Sequence, residues 1–160
     1  MSLIIIPMIL REANLMVERL HRHHKPVVGH RFSLGAITKS GEVVGVCICG
    51  RPIARQSDQQ FSLEVLRVAT TGKKNACSFL LGAAGKVAKE MGFEEIHTFT
   101  LESESGSSLR AVGWESIIGT HGKYWGNRAG RDVDCTNNRK IKWFKVLNKH
   151  PMVDFERTDT

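Results

Sequence analysis

The strongest chemical signal in the sequence is a short loop, containing glycine and lysine, that opens a helix. It reads Thr-Thr-Gly-Lys-Lys-Asn, and the helical segment after it begins Ala-Cys-Ser. The first N–H groups of a helix lack intrahelical acceptors and carry partial positive charge, so they attract anions such as phosphate. The glycine permits a tight turn, the lysines add charge, and the small residues let an anion approach the amides. The residues predicted to surround the anion are Gly72, Lys73, Lys74, Asn75, Ala76 and Ser78.

Asn75 or Thr71 can cap the helix at this site. An ordinary capped helix after a strand is the alternative to the anion site. The loop has neither the P-loop spacing nor the glycine spacing of the dinucleotide-binding fingerprint. The sequence therefore predicts an anion site without a specific nucleotide class. Gly82 and Gly85 further along the helix are expected to let it pack close to a sheet.

Three of the seven histidines occur together in the run LHRHHKP. At 100° per residue, His24 falls on the apolar stripe of the preceding helix, and His21 and His23 flank it on opposite sides. Because they do not share one face, no dedicated metal site is predicted. His24 is expected in the core, and His97, in a strand-like run, is expected to be structural.

The four cysteines contain no CxxC pair and lack the spacing of a zinc module or a disulfide scaffold. Cys47 and Cys49 lie two apart in a strand-like run, so both face the same side of a sheet. We expect them to be reduced core residues, which suits the reducing cytoplasm.

Length and composition describe an ordinary globular chain of 160 residues, 41% hydrophobic and 24% charged. We expect one domain over residues 1–150 and a flexible tail over residues 151–160. The opening LIIIPMIL is too short to span a bilayer and lacks the features of a signal peptide. It is therefore predicted to be a buried first strand, and no membrane partner is expected.

The formal net charge of +7 is concentrated near the C-terminus, since residues 119–150 contain eight basic and only two acidic residues. Segregated basic charge among aromatic residues is typical of nucleic-acid binding. A solvated basic face, or one that attracts an anionic cofactor, explains the charge equally well. The predicted nucleic-acid contacts are Lys123, Tyr124, Trp125, Arg128 and Arg131.

Hydrophobic periodicity and turn residues predict an α/β domain on a mixed sheet. Strands are predicted over residues 3–10, 31–38, 42–49, 61–69, 94–101 and 139–147, and helices over 12–24, 76–91 and 107–112. The run FSLEVLRVA is apolar on both sides and is therefore expected to be a central strand. Gly92 is expected to end the long helix.

This order of elements resembles the acetyl-CoA-binding half of the GNAT acyltransferases over residues 3–114. The shared features are a strand, a glycine-containing loop, a long helix, a strand, and a short helix ending in Gly113-Trp114. The resemblance implies a mixed, mostly antiparallel central sheet flanked by helices, with acetyl-CoA as cofactor. The loop departs from the family pattern because Lys-Lys-Asn separates Gly72 from Ala76. Leu109 stands near the point where the family often has a tyrosine that protonates the departing thiolate.

The resemblance also implies roles for the strand and the loop. The loop would bind the pyrophosphate of the cofactor. The strand before it, with Arg67, Val68 and Thr70, would pair with the pantetheine arm. Backbone amides around Val68 would donate to the oxyanion that develops during acyl transfer.

Acyl transfer to an amine also needs a base, and Glu64 is the candidate because it is a carboxylate within an otherwise apolar strand. A salt bridge from Glu64 to Arg67 or Arg51 is the equal alternative. Arg67 is expected to bind the cofactor or to orient Glu64. His21 or His23 is expected to reach the acceptor pocket, which borders this end of the first helix in GNAT folds.

A narrower resemblance is to the Mom DNA-modification proteins of Mu-like phages and their small phage-encoded relatives. It is carried by His21 and the motifs GEVVGV, LEVLR, NACS and LRAVGW. It implies a phage or prophage origin and conversion of adenine in DNA to an acetamido derivative. It also implies that iron is a second candidate cofactor.

These expectations combine into a cytoplasmic, acetyl-CoA-dependent acyltransferase that modifies adenine in DNA. Ordinary N-acetylation of a protein or small-molecule amine is the alternative. A non-catalytic nucleic-acid-binding protein on a GNAT scaffold is a further alternative. Acetyl-CoA and DNA are the expected partners, and a homodimer is left open.

Overall fold

The computed structural model describes residues 2–20, 25–118 and 140–157. This part of the chain contains seven strands and three helices. They are β1 (Ile4–Met8), α1 (Leu10–Leu20), β2 (Phe32–Ile37), β3 (Val43–Gly50), β4 (Ser62–Thr70), α2 (Ala76–Glu90), β5 (Glu95–Leu101), α3 (Ser107–Ala111), β6 (Glu115–Ile118) and β7 (Lys140–Val146).

The described strands form one sheet in the order β1-β2-β3-β4-β5-β7-β6. Each neighbouring pair is antiparallel except β4 and β5, which run parallel and are connected through α2. The predicted fold class, a mixed and mostly antiparallel sheet flanked by helices, is confirmed. None of the helices in the described ranges combines the length and apolar character needed to cross a membrane.

The two faces of the sheet are covered by different helices. α2 packs on the larger core, which includes Leu63 and Val65 of β4. α1 packs on a smaller core on the opposite face, against Val46, Ile48 and Ala69. We refer to these as the α2 face and the α1 face.

The predicted apolar stripe of α1 is confirmed over the described part of that helix. Ala13 and Val17 are fully buried, and Met16 and Leu20 pack beside them. The helix is described as far as Leu20, so His24 lies outside the described residues.

β4 is the central strand, as its two-sided apolar character predicts, and it carries a bulge. The register with β3 runs through the pairs Ile48↔Arg67 and Cys49↔Val65, which leaves Leu66 without an opposite residue. A bulge of this kind bends a strand and increases its twist. Beyond the bulge, β4 continues to Thr70 without pairing with β5.

Trp143 of β7 fixes the position of α3. Its ring is 1% exposed, and its Nε1 donates a hydrogen bond to Thr100 Oγ1 at 2.9 Å. The guanidinium of Arg110 lies 5.1 Å from the ring centroid. Gly106, with φ of 65°, lies against the ring at a point where a Cβ would collide with Trp143. α3 therefore begins at a defined point beside the N-terminus of α2.

Cys47 and Cys49 are buried free thiols that face the α2 core, as predicted. Their Sγ atoms lie 3.7 Å apart. Burial is the main cause that raises the pKa of the Cys49 thiol well above its ordinary value, and the neighbouring Cys47 adds to it.

Two expectations about the strands and glycines are wrong, and one short strand was not predicted. β1 is an edge strand, and Ile4 is 44% exposed; its Pro7 is typical of an edge. β6 was not predicted because its four residues are all exposed and lack a buried alternation. A Cβ would meet nothing within 4 Å at Gly85 and only Val112 Cγ1 at 3.5 Å at Gly82, so neither glycine permits a close approach to the sheet.

Gly85→Ala is expected to raise the free energy of unfolding by about 0.5–1 kcal/mol, because alanine loses less backbone entropy in a helix and the added methyl has space. Gly106→Ala is the contrasting variant, and it should lower the free energy of unfolding because of the Trp143 ring and the positive φ. Urea unfolding measures both as shifts in the midpoint at constant slope. A lower midpoint for Gly85→Ala would contradict the open space beside that residue.

Candidate active site

The parallel strands β4 and β5 pair with each other only over the first three residues of each strand. Their pairing comprises Ser62↔Glu95, Leu63↔Ile96 and Glu64↔His97, although β4 continues to Thr70 and β5 to Leu101. Just beyond the last pair, Thr98 Oγ1 donates to the carbonyl of Val65 at 3.1 Å. At this point a side-chain hydrogen bond replaces the backbone hydrogen bonds between the two strands. Beyond it the strands are no longer paired, which leaves an opening between them.

The backbone of β4 offers hydrogen-bonding groups to this opening. The amide of Thr71 donates to Val44 O of β3 at 2.9 Å. Because alternate residues of an antiparallel strand direct their backbone groups to the same neighbour, Ala69 also faces β3, and Val68 and Thr70 face the side of β5. The amide of Val68 therefore points into the opening, as the family resemblance implies.

A cleft of about 470 Å³ lies at the end of this opening, between the loop after β4 and α3. We refer to it as the loop cleft. The loop that opens α2 forms one wall, and Ser107, Ser108 and Ala111 of α3 form the other. Six of the predicted cofactor residues line this cleft: Thr70, Gly72, Lys73, Lys74, Asn75 and Ser78. These residues, which were predicted to bind the cofactor, therefore lie around one cleft.

The geometry of the loop leaves helix amides free for a ligand. Gly72 has φ of 90° and Asn75 has φ of 67°, both in the left-handed region. Within the described chain, the amides of Cys77 and Ser78 have no backbone acceptor, whereas that of Phe79 donates to Asn75 O at 2.9 Å. Unpaired N–H groups at a helix N-terminus carry partial positive charge, and here they lie beside Lys73 and Lys74 in the lining of the loop cleft.

The prediction that Asn75 caps this helix is right in position, but the side-chain cap does not form. Asn75 occupies the N-cap position, but its side chain makes no capping hydrogen bond, and Ser78 Oγ instead donates to Asn75 O at 3.1 Å. Thr71 is not the N-cap residue of the helix either. With no side chain over the first turn, its amides stay accessible to a ligand.

Ala76 and Leu109 contribute packing to the site. Ala76 is fully buried, and its amide donates to Lys73 O at 3.1 Å. Leu109 is buried in the α2 core and has no ionisable group to offer. The loop cleft instead presents the hydroxyls of Ser107 and Ser108 and the half-buried thiol of Cys77, whose pKa is raised mainly by burial.

Glu64 is buried on the α1 face at the last paired position of β4. It lies between Leu63 and Val65, which both face α2, so its side chain points the other way. Its Oε1 is 3.4 Å from Nε2 of His97, which is 1% exposed. Of the two alternatives for Glu64, the salt bridge to Arg67 or Arg51 is wrong within the described residues, because its ion-pair partner is His97.

His97 joins Glu64 to a second carboxylate. Its Nδ1 is 3.2 Å from Glu95 Oε1, and Lys142 Nζ is 2.9 Å from the same oxygen. Neither contact of the His97 ring has hydrogen-bond geometry. Burial lowers the pKa of His97, but the Glu64 and Glu95 carboxylates outweigh it, so this pKa is raised above its ordinary value. Protonation of the His97 ring would balance the charge of the Glu64 carboxylate beside it.

The sequence analysis missed this cluster because it treated His97 as an isolated strand residue. The signal was present in the alternation of EEIHTFTL, where Glu95 and His97 share one strand face. What the sequence could not show is the register that sets His97 opposite Glu64.

Arg67 lies outside the loop cleft. Because it stands opposite Ile48, it is on the α1 face, and it lines a second cleft of about 520 Å³. Segment 27–31, Arg51, Ile53 and Leu66 form the rest of that lining. Val68 lies in β4 and directs its backbone amide to the opening between β4 and β5.

Several predicted site residues lie outside the described residues. These are His21 and His23 near the end of α1, and the predicted nucleic-acid contacts Lys123, Tyr124, Trp125, Arg128 and Arg131. In the described ranges, no group of three or more His, Cys, Asp or Glu side chains could hold a metal ion. The described donor set therefore does not fit iron.

Solved structures with the same architecture are acetyltransferases. The NAA60 protein of Arabidopsis thaliana with a bisubstrate analogue has a TM-score of 0.68 and 12% identity, over 92% of this chain and 99% of that one. The yncA protein of Salmonella typhimurium with its cofactor acetyl-CoA has a TM-score of 0.66 and 14% identity, over 97% and 99%. The IAA acetyltransferase of Bacillus cereus has a TM-score of 0.60 and 18% identity, over 91% and 100%.

The chain has the GNAT acetyltransferase fold. TM-scores of 0.60–0.68 establish the shared fold, whereas identities of 12–18% establish nothing finer. No protein-family model matches the sequence, and no curated protein matches it significantly. The Mom-like resemblance thus has no support from these comparisons. Function has to be argued from the site.

Glu95 is expected to make the fold sensitive to acid. His97 is the main cause that lowers the pKa of Glu95 from 4.5 to about 2, and Lys142 adds to it against the effect of burial. A carboxyl whose folded pKa is lowered stabilises the fold above the unfolded value and loses that contribution as the pH falls from about 4.5 to about 2. Glu95→Gln should therefore flatten this limb of a curve of unfolding free energy against pH.

Glu115→Gln is the matched control for this measurement, because Glu115 is exposed on β6. It should leave the acid limb of the wild type unchanged. Equal acid limbs for the wild type and Glu95→Gln would show that the contacts of Glu95 do not stabilise the fold.

Proposed function

We propose that this protein is an acetyl-CoA-dependent N-acyltransferase that acts on an amine other than a DNA base. The observation that carries the proposal is the combination of parted strands and a loop cleft with free helix amides. Backbone groups of a strand that leaves its partner need a new partner, and an extended ligand in the opening supplies one. The acetyl-CoA complex of yncA supports the choice of ligand, since that protein has the same fold.

The residues of the loop cleft fit the diphosphate of coenzyme A. The amides of Cys77 and Ser78 donate to phosphate oxygens, and Lys73 and Lys74 supply positive charge. Gly72 allows the loop to turn without a side chain over the site. Bound acetyl-CoA supplies the thioester whose carbonyl the amine attacks.

Glu64 serves as the general base in this proposal. An attacking amine must be neutral, and a buried carboxylate can take its proton directly or through water. His97 holds the carboxylate in place and balances its charge. The Val68 amide, which points into the opening, donates to the negative charge that develops on the carbonyl oxygen.

An acceptor other than DNA is favoured because solved structures that share this fold carry the names of ordinary acetyltransferases, such as the IAA acetyltransferase of Bacillus cereus. The five residues predicted to contact DNA lie outside the described ranges and do not bear on this choice. Ordinary N-acetylation requires only the loop cleft, the parted strands and the base.

Cofactor binding and acceptor identity can be tested separately. Calorimetry should show saturable binding of acetyl-CoA with a negative heat-capacity change, because apolar surface is buried. The absence of binding at millimolar acetyl-CoA would overturn the enzyme proposal in favour of a non-catalytic scaffold. Mass spectrometry of nucleosides from expressing cells should show unmodified deoxyadenosine, and acetamido-deoxyadenosine would restore DNA as the acceptor.

Reversing the charge of the loop lysines should weaken cofactor binding. The double variant Lys73→Glu and Lys74→Glu is expected to raise the acetyl-CoA Kd by about tenfold or more, because two charge-assisted contacts to phosphate are replaced by repulsion. Lys86→Glu with Lys89→Glu is the control, since it makes the same charge change near the other end of α2. Equal losses in the two double variants would mean that the loop cleft does not hold the diphosphate.

Glu64→Gln tests the proposed base. It should lower kcat by about 10²-fold or more, the usual contribution of general base catalysis, while the acetyl-CoA Kd stays within about twofold. Glu94→Gln, the same change on the residue before β5, should leave kcat unaltered. Full activity of a folded Glu64→Gln protein would exclude Glu64 as the base.

A further inference from the structure

The second cleft, on the α1 face, has a composition that the proposed function does not use. It has a volume of about 520 Å³ and is lined by residues 27–31, Arg51, Ile53, Leu66 and Arg67. We refer to it as the arginine cleft, because Arg31, Arg51 and Arg67 all line it. None of its lining residues is an aspartate or a glutamate.

We propose that the arginine cleft binds the carboxylate or phosphate group of a small acceptor amine. This inference rests on the proposed function, and it adds the substrate class: an amine that also carries an anionic group.

No acidic side chain of the described residues neutralises the positive charge of the cleft. Among the residues that the structure describes, the ion pairs join His97, Lys142, Glu64 and Glu95, and none involves an arginine of the cleft. Three guanidinium groups around one cavity repel one another and attract an anion. An anionic ligand removes that repulsion and supplies the missing partner.

Arg67 carries the most specific signal of the three. Its Nη1 donates to Leu66 O at 2.7 Å, which fixes the side chain. Its Nε atom is buried and has no hydrogen-bond partner within the described chain. A buried unpaired donor on a fixed guanidinium is costly to a fold unless a ligand satisfies it. The planar fork of arginine matches a carboxylate or a phosphate.

The walls of the cleft are held by hydrogen bonds to regular elements. Asn14 of α1 clamps Val27, since its Nδ2 donates to Val27 O and its Oδ1 accepts from Val27 N, both at 2.9 Å. The amide of Arg31 donates to Cys49 O at 2.8 Å. His30 Nδ1 hydrogen-bonds to Ser33 Oγ at 2.7 Å. The cleft is therefore preformed, which lowers the entropic cost of binding.

The position of the cleft suits an acceptor. Arg67 and Glu64 both point to the α1 face of β4, on either side of the bulge at Leu66. The loop cleft begins at the opposite end of β4, at the N-terminus of α2. An amine anchored by its anionic group in the arginine cleft approaches the base from the face opposite to α2.

The size of the cleft favours a small molecule over a nucleic acid. A volume of about 520 Å³ lies within the usual range of about 300–1,000 Å³ for small-molecule sites. Apolar lining from Val27, Ile53 and Leu66 accompanies the arginines, as in sites that bind an amphipathic ligand.

The first arm of the test titrates the protein with inorganic phosphate and detects binding from the NMR shifts of the backbone amides. Saturable shifts are expected at Gly29, Arg31 and Arg51. Arg31→Gln and Arg51→Gln should each weaken this binding by about tenfold, the value of one charge-assisted hydrogen bond. Arg55→Gln is the matched control, because Arg55 lies in the same loop but does not line the cleft. It should bind phosphate like the wild type.

The second arm measures acceptor preference with two pairs of amines at saturating acetyl-CoA. The pairs are glutamate with glutamine and phosphoethanolamine with ethanolamine. At least one anionic member should have a kcat/KM about tenfold or more above its neutral partner, and Arg51→Gln should remove the difference. Arg55→Gln should preserve the preference.

The outcomes separate this inference from the proposed function. Phosphate shifts confined to Cys77 and Ser78, or no preference for either anionic amine, would overturn the arginine cleft while acetyl-CoA binding still stood. Binding of a short single-stranded DNA at Arg31 and Arg51, without binding of phosphate, would replace the small amine by a nucleic acid. Loss of acetyl-CoA binding itself would instead refute the proposed function.

Discussion

The parting of β4 from β5 is the constraint on which the candidate site depends. A central strand normally satisfies its backbone groups on both edges, yet the ladder with β5 ends at Glu64↔His97. The bulge at Leu66 bends β4, and Thr98 Oγ1 occupies the point of separation. The fold leaves the Val68 and Thr70 backbone facing an opening, so it depends on water or a ligand to satisfy those groups. An extended ligand bound there would behave as a partial replacement for the missing strand.

The buried charge cluster lies at the same point of the sheet. Removing two carboxylates and a histidine from water is unfavourable, and their mutual attraction offsets that cost only when they are closely placed. The contacts in this cluster meet this condition, because they run in sequence from Glu64 to His97, Glu95 and Lys142. The first of these residues is buried, and the last is a partly exposed lysine. Such an arrangement is a weak source of stability but a precise way to hold one carboxylate. Its place beside the last paired residues of β4 and β5 is the basis of the role as general base that is proposed for that carboxylate.

The two helices lie on opposite faces of the sheet, and each accompanies one of the two clefts that are proposed as binding sites. α2 covers the larger core, and its uncapped N-terminus faces the loop cleft, where the first-turn amides remain free. α1 covers less of the opposite face and, through Asn14, holds the segment that walls the arginine cleft. Both clefts are positively charged, but they differ in kind: backbone amides with flexible lysines form one, and guanidinium groups form the other. This difference suits a diphosphate on one side and a small carboxylate or phosphate on the other.

The sequence by itself determined the order of the predicted elements, the buried face of α1, the central place of β4 and the loop that opens α2. These depend on local periodicity, glycine and charge, which act between residues close along the chain. It did not determine that β1 lies at an edge, that β6 forms, or that Asn75 leaves the helix amides uncapped. Only the tertiary structure decided that His97 meets Glu64 and that Arg31, Arg51 and Arg67 surround one cleft. Strand register and a single bulge set those neighbours, and a shift of one residue would send each side chain to the other face of the sheet.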